Sequence, residues 1–268
     1  MFNNLNPKAI RYFSKFNLAI IIIFTIFLFS CDRFNRPEKI KHKDGWKELT
    51  ITKNGDSLMT TFRKDGTKKN AVTFRNGFHD GVGYNYYENG KVQNKIHYKE
   101  GYKNGTAEWF YKTGILYRIT NYDMGIKVGI QKRYYESGEL QAEIPYKNNK
   151  ITEGLKEYKK DGSLITNYPK IIFEEIDKLA FENKLILKVY LSPKGKKTEY
   201  LRLKKIGDEE APISLSAQTK NGAAFITYPL KPGRSIMEKV KIKVKTKTKL
   251  GNTLVLIKKY NLAAENRF

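Results

Sequence analysis

Lysine occupies every second position of the run Lys239-Val-Lys-Ile-Lys-Val-Lys-Thr-Lys-Thr-Lys249. Side chains alternate along a strand, so Lys239, Lys241, Lys243, Lys245, Lys247 and Lys249 share one face, with Val240, Ile242 and Val244 on the other. Ammonium groups in a row can ion-pair with an anionic polymer or a lipid surface. The same row, left in water, discourages edge-to-edge sheet pairing. The other titratable groups offer less. His42, His79 and His97 have no metal-ligand spacing and no cysteine nearby to complete a site. The acid clusters Glu174-Glu175-Asp177 and Asp208-Glu209-Glu210 read as solvated, since a paired-carboxylate hydrolase needs two such groups facing each other across a cleft. No nucleophile elbow surrounds Ser57 or Ser137, and Gly81-Val-Gly83 lacks the rest of a phosphate-cradling loop. The pattern points to binding rather than catalysis, and to no cofactor and no metal.

The elements that position these residues are set by a repeat. Gly66, Gly90, Gly114, Gly138 and Gly162 are spaced 24 residues apart. Two aromatic columns keep the same period: Phe62, Tyr86, Phe110, Tyr134, Tyr158, and Phe74, Tyr98, Tyr122, Tyr146. A second glycine column, Gly77, Gly101 and Gly125, ends at Asn149. Such a period marks an array of small supersecondary units, and arrays offer extended surfaces for binding. Asn89-Gly90 between two alternating aromatic runs predicts a hairpin, as do Asp65-Gly66, Thr113-Gly114, Ser137-Gly138 and Asp161-Gly162. A three-residue loop, Glu88 to Gly90, sets Tyr86 opposite Val92 and is favoured because the column at Tyr86 is aromatic in every unit. That register predicts one shared core face for Tyr86, Val92, Ile96 and Tyr98. Tyr87, Trp109, Tyr111 and Tyr135 then lie on the opposite side, as an aromatic ladder suited to carbohydrate or protein contacts or as packing beneath neighbours.

The units Tyr86-Tyr87-Glu-Asn-Gly90-Lys-Val92, Phe110-Tyr111-Lys-Thr-Gly114-Ile-Leu116 and Tyr134-Tyr135-Glu-Ser-Gly138-Glu-Leu140 resemble the MORN-repeat family in its bacterial variant. Tyr158 to Leu164 gives a weaker copy. The resemblance runs over about residues 56–168 and implies an extended antiparallel sheet of hairpins. Proteins similar to this variant often carry the label YwqK-type antitoxin, so the resemblance also implies an alternative role as an antitoxin or immunity component that binds a toxin.

Beyond Pro169 the period stops. Six strand-like runs follow: Leu185 to Leu191, Tyr200 to Ile206, Ile213 to Ala217, Ala223 to Tyr228, Val240 to Thr248 and Thr253 to Tyr260. Ile171 to Asp177 reads equally as a strand or a short helix. The expectation is an all-β chain: an extended antiparallel sheet of 24-residue hairpins over 46–169, then a β-sandwich-like domain over 170–268. A net charge of +24 favours anionic partners, polysaccharide or lipid, beside a protein partner.

The N-terminus sets the compartment. Lys8, Arg11 and Lys15 precede an apolar run from Leu18 to Phe29 that is too short to span a bilayer, which needs about 20 residues. It closes on Leu28-Phe29-Ser30-Cys31, which resembles a bacterial lipoprotein signal, and Cys31 is the sole cysteine. The reading is a signal over 1–30, and a lipidated N-terminus with a polar tether over 31–45. Two or three acyl chains at Cys31 hold a protein on a membrane almost permanently, at about 0.8 kcal/mol per buried methylene. The compartment expected is the bacterial envelope, with the outer membrane favoured and nucleic acid the least favoured partner. Cys31→Ala is expected to abolish incorporation of labelled palmitate and to release the protein from membranes or block its processing. Normal labelling of the variant would overturn the lipid anchor.

Overall fold

Strands make up most of residues 37–51 and 55–268, the part of the chain that the computed structural model describes. Cys31 and the signal core lie outside these residues. Two units are resolved, one holding the described residues up to Gly105 with Lys112–Gly114, the other Thr106–Tyr111 with Ile115–Phe268.

The first unit contains β1 (Glu38–His42), β2 (Gly45–Ile51), β3 (Ser57–Arg63), β4 (Lys68–Arg75), β5 (Phe78–His79), β6 (Gly81–Tyr86) and β7 (Val92–Lys99). They pair antiparallel in the order β1-β2-β3-β4-β6-β7, with β5 on β4. The boundary between the units falls within β8 (Tyr102–Phe110). β1 is a correction to the tether, because Glu38 to His42 pair in register with Leu49 to Gly45. Alternation of Ile40 with Lys39 and Lys41 suits an edge strand as well as it suits a linker.

The three-residue loop is borne out. Tyr86 faces Val92, the Tyr87 N–H donates to the Lys91 carbonyl at 2.8 Å, and the Gly90 N–H donates to the Tyr87 carbonyl at 3.0 Å. Gly90 sits at φ 79° and Gly114 at φ 93°, left-handed backbone that glycine adopts without strain. The expected core face is not borne out. The register shifts between Asn85 and Tyr86, so that Asn85 faces Asn94 while Tyr86 faces Val92. The same shift recurs at Thr61/Phe62 and at Arg133/Tyr134. One extra residue on the returning strand is a β-bulge, and it exchanges the faces beyond it. Tyr86 therefore lies beside Tyr84, with ring centroids 6.2 Å apart, while Ile96 and Tyr98 point the other way.

The core face of the array is built from different columns. Ile96, Thr120 and Ile144 form one, at 7%, 1% and 1% exposure, and Ala107, Gln131 and Leu155 form another, at 0%, 1% and 6%. Gly83 heads the second column, and a Cβ there would stand 3.1 Å from the Tyr98 ring. Where both columns turn polar they make one contact, the Thr120 hydroxyl donating to the Gln131 side-chain oxygen at 3.1 Å, while the buried Gln131 amide nitrogen has no partner among the described residues.

The second unit continues with β9 (Leu116–Asp123), β10 (Ile126–Tyr134), β11 (Leu140–Lys147), β12 (Lys150–Ile151) and β13 (Lys156–Glu157). β10 pairs with β9 and β11, and both β12 and β13 pair with β11. The rest is β14 (Lys170–Lys178), α1 (Leu179–Glu182), β15 (Lys184–Ser192), β16 (Lys196–Ile206), β17 (Glu209–Ser214), β18 (Thr219–Lys220), β19 (Ala223–Pro229), β20 (Ser235–Lys247) and β21 (Thr253–Glu265). The stretch 171–177 is thus a strand followed by one helical turn. These strands form two four-stranded sheets, β14-β15-β19-β18 and β17-β16-β20-β21. One core joins them: Leu187, Val189 and Ile226 of the first sheet with Tyr200, Val240, Ile242, Val244 and Leu262 of the second. This is the sandwich. Each such side chain contributes about 1.5–3 kcal/mol by leaving water.

The last repeats belong to the same unit as the sandwich. Ala142, Ile144 and Leu155 share a smaller core with Leu254. Beside it the Glu157 carboxylate, 1% exposed, accepts from the Thr248 hydroxyl at 2.7 Å and the Asn252 amide at 2.6 Å. Arg133 donates to the Asn252 side-chain oxygen at 2.9 Å.

A latch joins successive repeats. The Tyr111 hydroxyl donates to the Tyr134 carbonyl at 2.9 Å, and the Tyr135 hydroxyl to the Tyr158 carbonyl at 2.7 Å. In the first unit Arg63 holds the equivalent position and donates to the Tyr86 carbonyl at 2.7 Å. Where the shift is resolved, at Tyr86 and Tyr134, the accepting carbonyl belongs to the residue opposite the bulge, where the ladder is interrupted and a backbone acceptor needs a partner. Tyr135→Phe keeps the ring and deletes the donor. We expect it to lower unfolding stability by about 1 kcal/mol, the typical net value of one such bond. Lys159→Ala, in the same column with no 24-residue repeat beyond it, should leave the urea midpoint unchanged; equal shifts would remove the latch.

Candidate binding surfaces

The lysine row lies on β20 and is placed as its alternation implies. Val240, Ile242 and Val244 are at most 1% exposed in the sandwich core, and Lys239, Lys241, Lys243, Lys245 and Lys247 point to the other side. Lys249 lies past the end of the strand, in the turn before β21. β20 is an inner strand, flanked by β16 and β21. Its lysines therefore guard no sheet edge, and that account of the row does not apply to it.

The row is unevenly neutralised. Lys245 faces Glu199 across the β16 ladder and pairs with it at 2.9 Å. Lys241 reaches both carboxylate oxygens of Glu210, at 2.8 and 2.6 Å. Lys247 donates to the Thr253 hydroxyl at 2.9 Å. Lys243, between the two ion pairs, has Leu201 and Ile257 as its cross-strand neighbours and makes no ion pair among the described residues. The exposed pairs are each worth about 0–1 kcal/mol, so their role is to arrange charge more than to hold the sheet.

Lys243 and Lys245 open into a groove of about 700 Å³ within the second unit. Its apolar surface comes from Leu201, Leu203, Pro212, Val255 and Ile257 of the sandwich and from Tyr146 and Ile151 of the last repeat. Lys127 and Lys150 enter from the repeat side, and the Lys127 ammonium stands 5.2 Å from the centre of the Tyr146 ring. Sequence reasoning missed Lys127, Tyr146 and Lys150. They lie about a hundred residues before the lysine row, and no local pattern connects them to it.

The aromatic set falls into different environments. Trp109 shares its strand face with the fully buried Ala107 and thus belongs to the core side of the array. The Arg118 guanidinium lies 3.9 Å above its ring. Tyr111 and Tyr135 are the latch donors, and burial, reinforced by neighbouring acidic groups, pushes their hydroxyls above the usual tyrosine range. They stay protonated and able to donate. Tyr87 occupies the corresponding turn position, where its backbone closes the hairpin loop. These residues do not form one uniform ladder.

The chain has no match among curated proteins. Residues 80–100, 103–124 and 127–148 each match the MORN repeat variant, together well under half of the chain. The period and this match agree: residues 80–148 carry three consecutive repeats of the MORN variant.

Proposed function

We propose that the protein is a lipid-anchored component of the bacterial cell envelope, on the outer membrane in preference to the inner, that binds or scaffolds without catalysing a reaction. The anchor rests on the basic head, the apolar run and Leu28 to Cys31. The observation that carries the binding role is the position of the lysine row. Five lysines stand on the outer face of an inner strand, where edge protection gives no reason for them. A net charge of +24 supports an anionic partner, and export to the envelope points to acidic polysaccharide or anionic lipid.

The test compares two triple variants. Lys241, Lys243 and Lys245 changed to Gln should weaken binding to acidic polysaccharide or to phosphatidylglycerol vesicles and leave thermal stability nearly unchanged. Wild-type binding should fall steeply once salt shortens the Debye length below about 10 Å. The control removes equal charge at Lys196, Lys197 and Lys220. Equal weakening by both would mean that bulk charge alone matters. Capture of one protein partner from native membranes, with no anionic polymer bound, would move the assignment to the antitoxin or immunity class.

A further inference from the structure

The groove beside the lysine row has a composition that the row alone does not. Its lining holds four lysines, Lys127, Lys150, Lys243 and Lys245, against one carboxylate, Glu210. That carboxylate is already bound through both oxygens by Lys241, and Lys245 is already paired with Glu199. Lys150 and Lys243 make no ion pair among the described residues, and they line the groove from different elements, one from β12 at the last repeat and one from β20 of the sandwich. Beneath them the surface is aliphatic: Leu201 is 6% exposed and Val255 2%, with Leu203 and Ile257 beside them.

A solvated cationic face has no use for an aliphatic floor, and an apolar docking groove has no use for two uncompensated ammonium groups. One ligand chemistry fits both. The volume of about 700 Å³ lies inside the range of about 300–1,000 Å³ usual for small-molecule sites. We propose that this groove binds a single-chain amphiphilic anion, its phosphate or carboxylate head between Lys150 and Lys243 and its alkyl body along Leu201, Leu203, Val255 and Ile257. The proposal deepens the reading of the lysine face. It does not depend on the anchor, because every residue it uses lies in the second unit.

Charge complementarity selects the head, and the aliphatic floor selects against a bare anion. A bilayer surface is a different occupant, since a flat membrane presents headgroups without offering an alkyl chain to a recessed floor. The Lys127 ammonium over Tyr146 sets a further positive charge at the repeat-side mouth. This charge favours an anion over a neutral amphiphile of the same length.

The experiment is calorimetric titration of the full chain with dodecyl phosphate below its micellar concentration, beside inorganic phosphate, dodecyl maltoside and phosphatidylglycerol vesicles. The expected result is saturable one-to-one binding of dodecyl phosphate, with inorganic phosphate and the maltoside at least roughly tenfold weaker. Lys243→Gln and Lys150→Gln should each weaken it about tenfold, as loss of one charge-assisted contact implies. Lys243→Arg should retain most of the affinity, and Leu203→Asn should weaken dodecyl phosphate while leaving inorganic phosphate unchanged. The triple change at Lys196, Lys197 and Lys220 should have little effect. Equal weakening by that control, or inorganic phosphate binding as tightly as dodecyl phosphate, would overturn the proposal. Binding to vesicles without saturable binding of the monomer would also overturn it, leaving the broader anionic-surface reading intact.

Discussion

A bulge that recurs in the hairpins creates the problem the rest of the array solves. One extra residue on the returning strand interrupts the ladder at Tyr86 and Tyr134, and a backbone acceptor without a partner is costly once it leaves water. The acceptor is met by a long side chain from the preceding unit, Arg63 or Tyr111; Tyr135 reaches the Tyr158 carbonyl in the same way. The bond that satisfies the carbonyl therefore also sets the spacing from one hairpin to the next. Arginine and tyrosine serve alike because each places a donor at the end of a long side chain that keeps its stem against apolar neighbours.

The bulge also decides which columns are buried. It turns the first aromatic column away from the side of Ile96 and Ile144, where the buried Ala107 and Gln131 lie and where Gly83 approaches the Tyr98 ring. The thin core holds polar groups at Thr120 and Gln131, joined by one hydrogen bond, with the Gln131 amide nitrogen buried and without a partner among the described residues. At the last repeats the core face meets Leu254 and a buried carboxylate, Glu157, which binds the turn before β21. That junction makes the end of the array and the sandwich one unit, and the groove with Lys150 and Lys243 exists because of it.

Function follows from where charge is left over. The basic excess is diffuse along the sequence, and most of it is solvated. On β20 the carboxylates Glu199 and Glu210 neutralise Lys245 and Lys241 and leave Lys243 without one among the described residues. Exposed pairs of this kind contribute little stability. Their consequence is a local contrast, one uncompensated ammonium between two compensated ones, above an aliphatic surface that no solvated strand requires.

The sequence by itself determined the period, the glycine turns, the three-residue loop and the alternation of β20, because each depends on contacts within a few residues. It also determined the all-β class and the position of most sandwich strands. Only the tertiary structure decided the faces of the array, since a one-residue bulge exchanges them without altering the 24-residue spacing. It placed Trp109 on the core side, gave Tyr111 and Tyr135 to the latch, and made residues 38–42 a strand. It also decided that β20 lies inside its sheet and that Lys150 and Lys243 line one groove. Those last facts depend on pairings between residues far apart in the chain, which local hydrophobic and charge patterns do not encode.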